Sequence, residues 1–116
     1  MIKPEKINLP RYFLNRPEVF QIRNVEEYRL FLESYCAGKQ LDYFYFRVKF
    51  DKFLINSQID HLIYNENTNY PDWVTFIRFK SRSDDRLSLN ILKDELEKFI
   101  EQNINDKIIS EIFIDV

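Results

Sequence analysis

The sequence predicts an α+β fold of the ferredoxin-like type: a two-layer βαββαβ sandwich with a four-stranded antiparallel sheet and two helices on one face. Three observations predict it. Apolar residues recur first at strand and then at helix spacing in that order along the chain. Residues 42–50 alternate with period two through a run of aromatics. Gly38, the single glycine, stands at the end of the first helical stretch, where a C-cap favours a residue without a Cβ.

Residues 1–17 contain Pro4, Pro10 and Pro17, which interrupt regular structure, yet Ile7, Leu9, Tyr12, Phe13 and Leu14 are too apolar for a solvated tail. This arm is expected to pack on the domain or on a partner. Residues 18–23 form the expected first strand, with Phe20 and Ile22 on one side. Asn24 with Glu27 opens the first helix as a capping box, and Val25, Tyr28, Phe31, Leu32, Tyr35 and Cys36 form its apolar face. Strand 2 covers 42–50, with Phe44, Phe46, Val48 and Phe50 inward and Tyr43, Tyr45, Arg47 and Lys49 outward.

Residues 51–70 are ambiguous. Ser57 and Asp60 suit the start of a short helix through Ile59, Leu62 and Ile63, followed by a loop rich in Asn. A rival α+β layer fold would use this stretch as an added element. Residues 73–80 read as strand 3. A second helix starts near Ser88 with Leu89, Leu92, Leu96, Phe99 and Ile100 on one face, although 86–90 also alternates as a short strand would. Residues 107–116 close the sheet, with Ile108, Ile112, Ile114 and Val116 buried.

The chain has 116 residues, which predicts a single domain over 1–116. Hydrophobic residues at 45% and charged residues at 31% place it among globular rather than disordered chains. Eleven Phe and seven Tyr are more aromatic surface than a core of this size hides, so some is expected to be exposed or held in an interface. A single cysteine excludes an internal disulfide framework and fits a reducing compartment; Cys36 is expected as a small buried hydrophobe. No apolar run reaches the ~20 residues that span a bilayer, and residues 1–6 lack a signal-peptide core. A cytoplasmic protein without membrane association is expected. Residues 1–50 carry +3 and residues 51–116 carry −5, a bipolarity that permits a charged partner without requiring one.

No recognised chemistry emerges. His61 is the only histidine, and its neighbourhood supplies only Asp60 as a second metal ligand, so no metal site is expected. One glycine cannot build a phosphate-cradling loop, so no nucleotide cofactor is expected either. The acidic pairs Glu26-Glu27, Asp84-Asp85 and Asp94-Glu95 lie at or inside predicted helix starts or loops, where negative charge suits the dipole. Catalytic residues: none expected.

What remains is a surface. With the helices over one sheet face, the open face displays Tyr43, Tyr45, Arg47 and Lys49, and strand 3 adds either Trp73, Thr75, Ile77 and Phe79 or Val74, Phe76, Arg78 and Lys80, the second choice supplying Phe76 and Arg78. Such a face resembles that of RNA-recognition modules, which stack bases on rings and hold phosphates with cations. The chain departs from their pattern: residues 73–80 lack the strand-3 glycine, and Gln21 replaces the strand-1 aromatic. Tyr, Trp, Phe and Arg are also the residues that dominate protein interfaces. The expected function is therefore a small non-enzymatic protein-binding module whose contact residues are Tyr43, Tyr45, Arg47, Lys49, Phe76 and Arg78. Richness in Ile, Asn, Lys, Phe and Tyr suits an AT-rich bacterial or phage genome. An inhibitor, immunity-type or counter-defence protein that blocks a toxin or defence component is the expected context. The alternative is a nucleic-acid-binding domain using the same face, and a homodimer through exposed sheet edges is a further expectation.

Overall fold

The computed structural model describes residues 7–57 and 72–116, and these form helices only. In chain order they are α1 (Leu9–Asn15), a 3₁₀ turn (Pro17–Phe20), α2 (Val25–Lys39), α3 (Tyr43–Ser57), α4 (Trp73–Lys80), α5 (Asp85–Gln102) and α6 (Lys107–Phe113). Each α-helix opens on an Asn or Asp whose side chain accepts a backbone N–H from its first turn. Asn8 takes Arg11, Asn24 takes Glu27, Asp42 takes Tyr45, Asp72 takes Thr75, Asp84 takes Leu87 and Asp106 takes Ile109, at 2.7–3.1 Å. Each such cap satisfies an orphan donor and is worth ~0.5–2 kcal/mol.

This overturns the ferredoxin-like α+β sandwich: no strand and no sheet occur among the described residues. The cause lies in aromatic density. When six of the eight positions of 43–50 are Tyr, Phe or Val, period 2 and period 3.6 both find an apolar face. The structure buries Phe46, Phe50 and Leu54, at helical spacing, and leaves Phe44 66% exposed, which an inward strand position forbids. Trp73, Val74, Phe76 and Ile77 are buried in the i, i+1, i+3, i+4 pattern of a helix. At the C-terminus Ile109, Ile112 and Phe113 are buried, whereas Ile114 and Val116 are exposed. The first expected strand is the 3₁₀ turn and a short extension. A homodimer through sheet edges loses its basis with the sheet. Residues 9–15, expected as an irregular arm, are helical, with Pro10 tolerated in the first turn where its missing N–H costs nothing. The expected short helix around Ile59–Ile63, its loop and His61 lie outside the described residues.

The core centres on α3. Phe46 stacks on Phe50 at 5.4 Å and meets Phe99 of α5 and Phe113 of α6 at 5.8 and 5.1 Å; Phe50 meets Trp73 of α4 at 5.7 Å. Phe13 and Leu14 bring α1 into the same cluster. Polar clamps fix the periphery. The Asn8 amide donates to the Ile112 and Asp115 carbonyls, and the buried Tyr28 hydroxyl donates to the Pro10 carbonyl.

Gly38 is not the cap. It sits inside the last turn of α2, and Gln40, at φ 59°, is the left-handed residue that ends the helix. The Leu41 N–H closes back on the Cys36 carbonyl at 2.8 Å, as a Schellman end requires. A Cβ added at Gly38 meets nothing within 4 Å. Gly38→Ala should therefore stabilise the fold by ~0.5–1 kcal/mol through helix propensity. Gln40→Gly should add about 0.5 kcal/mol by removing a left-handed side chain. Both should read out as higher urea midpoints with unchanged slopes, and a lower midpoint for Gly38→Ala would mean that α2 ends before residue 38.

Candidate functional site

A concave apolar surface lies between the 3₁₀ turn and α2. Pro17 starts the turn with its restricted φ, and Gln21 ends it in the left-handed region at φ 58°. The Ile22 N–H returns to the Pro17 carbonyl at 2.9 Å. The chain reversal sends Ile22 into the core and leaves Phe20 outside, 57% exposed. On α2 the residues Val25, Tyr28, Leu32 and Cys36 make the buried stripe. Leu30, Phe31 and Tyr35 lie off it as a second apolar stripe, and Leu30 is 65% exposed.

Between them runs a groove of about 530 Å³ whose walls are Phe20, Ile22, Leu30, Phe31 and Tyr35. Its rings are anchored rather than free. Phe20 stacks on Phe13 at 5.0 Å and meets Phe31 edge-on at 5.6 Å, while Phe31 meets Phe13 at 5.1 Å. Gln21, Glu27 and Ser34 supply the polar edge. Arg23 binds both oxygens of Glu27, its backbone N–H at 2.7 Å and its guanidinium at 2.8 Å. These bonds hold the Glu27 carboxyl below its usual range. A carboxylate kept ionised and doubly bonded is a poor proton shuttle. The groove is built to receive apolar side chains.

A second feature is polar. Asp51, on α3, faces the start of α4, and its Oδ1 is buried with no hydrogen-bond partner among the described residues. Its Oδ2 lies 3.7 Å from the Arg47 guanidinium. Burial raises the Asp51 carboxyl to about 6, against the opposing pull of the Trp73 backbone N–H and Arg47. Asp72, whose other oxygen lies 3.5 Å from Arg29, adds repulsion.

The six residues expected to form a partner surface are dispersed over helix flanks and in one case lie in the core. Tyr45 and Lys49 come together on Asp106, the cap of α6: the Tyr45 hydroxyl donates at 2.6 Å and the Lys49 ammonium at 2.7 Å. Burial pushes the Asp106 carboxyl up, but these bonds and the Ile109 N–H outweigh it and hold it at about 2. Tyr43 accepts from the Trp73 indole at 3.2 Å, and burial pushes its phenol up to about 12. Arg47 faces Asp51. Phe76 is buried. Arg78 forks onto Glu26, reaches Asp85 at 2.7 Å and donates to the Ser83 carbonyl at 3.1 Å, joining α2, α4 and α5.

Cys36 is fully buried, and burial pushes its thiol up to about 11, so it packs as a small hydrophobe. Among the described residues, no three metal-ligating side chains converge and no helix is long and apolar enough to cross a membrane. The groove residues Phe20 and Leu30 escape the sequence reading because Phe20 is read there as part of a strand and Leu30 lies off the apolar face expected for the first helix. The signal for them is the width of apolar sequence on α2: Leu30, Phe31 and Tyr35 exceed what one buried stripe requires.

Asp51 generates a pH-dependent expectation. A carboxyl whose folded value lies above its unfolded one disfavours the folded state once the unfolded chain ionises. Stability is thus lost as pH rises from about 4 towards 6 and stays low above it. Asp51→Asn should raise stability near pH 7 by ~1–3 kcal/mol, at 1.36 kcal/mol per unit, and change little near pH 4. Denaturant titrations at both pH values check this, and equal gains at both would assign the effect to packing instead. No protein-family model, curated protein or solved structure matches this chain.

Proposed function

We propose that the chain is a small non-enzymatic protein-binding module that works by occupying a larger target, as inhibitory, immunity-type and counter-defence proteins do. The groove between the 3₁₀ turn and α2 is its contact surface, and the occupant is an apolar segment of the target. The observation that carries this reading is the exposure of Phe20 and Leu30 on either side of a recess lined by stacked rings. Anchored aromatics lose little side-chain entropy on binding, which is why rings dominate interface hot spots. Two rim side chains more than half exposed leave the recess open enough for a protein segment to enter from outside. Glu27 with Arg23, and Glu18 with Arg16 at 2.9 Å, form a polar border of the kind that surrounds an apolar interface centre.

The test compares tagged wild-type chain with Phe20→Ser and Leu30→Glu variants on native-host lysate, with and without nuclease. Leu30 is 65% exposed, so Leu30→Glu should change the melting temperature little, whereas Phe20→Ser also removes the ring contacts with Phe13 and Phe31 and should lower it modestly. A protein retained by the wild type should bind the variants at least about tenfold more weakly, the loss typical of a truncated hot spot. Equal retention by all three would remove the groove as the contact surface. Retained material that vanishes with nuclease and with salt would favour the nucleic-acid alternative, because phosphate contacts are strongly salt-dependent.

A further inference from the structure

A buried carboxylate oxygen without a partner lies where α3 receives the start of α4. The Asp51 side chain is 15% exposed, and its Oδ1 has no hydrogen-bond partner among the described residues. Native interiors keep few such atoms, because an unpaired buried charge costs far more than an unpaired neutral group. Arg47 does not compensate. Its Nε stands 3.7 Å from Oδ2, beyond hydrogen-bond reach, and its side chain is 43% exposed. A half-solvated pair of that geometry contributes little, and an acid C-terminal to its base is the weaker order on a helix.

The facing side of the contact belongs to α4. Trp73, its first residue, is buried against Phe46 and Phe50, and its indole donates to the Tyr43 hydroxyl. Asp72 caps the helix by accepting the Thr75 N–H at 3.0 Å, and its other oxygen lies 3.5 Å from Arg29 of α2. Arg29 is itself shared with Glu33, at 3.9 Å. The α5 helix meets this part of α3 through Phe99 on Phe46, Phe50 and Phe53. Asp106, at the start of α6, is held by Tyr45 and Lys49. Burial, the largest influence on Asp51, and the negative charge of Asp72 both oppose its ionisation; the Trp73 N–H and Arg47 favour it. Burial wins and places the carboxyl at about 6.

We propose that Asp51 is a proton-operated latch on α4: protonated, it lets Trp73 seat against α3, and ionised, it loosens the start of α4 from that seat. This device stands independently of the groove and of the function assigned to it. One proton leaves Asp51 for solvent water as the latch opens. While α4 is docked, an ionised Asp51 is buried beside Asp72 with one oxygen unpaired. Once the start of α4 lifts, water hydrates both oxygens and screens the two carboxylates from each other. A helix of eight residues has too little stability of its own to resist. The docked state therefore binds the proton more tightly than the opened one. Docking is strongest in acid and weakens as pH rises from about 4 to about 6.

The test is amide hydrogen exchange on the whole chain, normalised to the intrinsic exchange rate at each pH. The reporter is Phe76, whose N–H closes the first turn of α4 on the Asp72 carbonyl at 3.0 Å, with buried Leu32 of α2 as reference. Between pH 5 and 7.5, above the ordinary carboxylate range, Phe76 protection should fall about tenfold. Asp51→Asn should abolish that fall. His61→Gln, which removes the chain's one histidine and its titration in the same range, should preserve it. At pH 7.5 protection at Phe76 should stand at least about tenfold below that at Leu32, as local opening requires. Carboxyl carbon shifts follow Asp51 directly in the wild type, with a midpoint near 6 expected, so the test survives a variant that folds poorly. Constant Phe76 protection, a fall that persists in Asp51→Asn or vanishes in His61→Gln, protection equal to that at Leu32, or an Asp51 midpoint near 4 would each overturn the proposal.

Discussion

The stacked pair Phe46 and Phe50 is the constraint on which the remaining architecture depends. Two rings one helical turn apart on α3 present a broad apolar ridge. Trp73, Phe99 and Phe113 converge on it from α4, α5 and α6, with ring centroids 5.1–6.2 Å away. Rings of this size let short helices close a core, since each buries area that several aliphatic side chains would otherwise supply. The α4 and α6 helices have eight and seven residues, too few to be stable alone in water. They persist because caps fix their starts and Phe46 and Phe50 receive their apolar faces. The polar edges of α3 then have defined duties, with Tyr43 on Trp73 and Tyr45 and Lys49 on Asp106.

This accounts for what the sequence disclosed. The α2 helix was legible almost residue by residue, because Asn24, Glu27 and a single buried stripe agree on one period. On α3 the periods disagree. Phe46 and Phe50 belong to both the alternating and the helical pattern, and only Phe53 and Leu54 beyond them separate the two. The decisive local signal was the Asn or Asp before each apolar run, at positions 8, 24, 42, 72, 84 and 106. A cap is a backbone requirement of helices and strands have no use for one, so its recurrence outweighs alternation among aromatics. Gly38 misled for a related reason: a glycine near a helix end suggests a cap, but here the left-handed turn falls two residues later on Gln40.

The rings that stay exposed are not the ones the sequence reading named as contacts. The inference that not all rings can be buried holds at Phe20, Phe44 and Phe79. Which rings stay outside depends on helix phase, and an error of period exchanges inward for outward positions along the whole element. The cations follow the same logic. Lys49 and Arg78 are drawn into ion pairs by acids distant in sequence, Asp106 and Glu26, that no local pattern reveals.

Arg78 connects the start of α2 with the turn between α4 and α5. Its fork on Glu26 holds the first turn of α2, beside Glu27 on the groove edge, while its contacts with Ser83 and Asp85 hold the turn that displays Arg82 and Arg86. Glu26 is the largest cause of the rise in the Arg78 guanidinium, and Arg78 in turn lowers the Glu26 carboxyl. Those directions agree: the pair is more stable charged than either partner alone, so it remains ionised across the ordinary pH range. A lysine could supply the charge but not the planar fork that meets Glu26 through two nitrogens while a third reaches Ser83. The left-handed turn at Arg82 and Ser83 is thus held by the same guanidinium that pairs with Glu26 in the first turn of α2, so one side chain ties the start of α2 to the end of α4 and the start of α5.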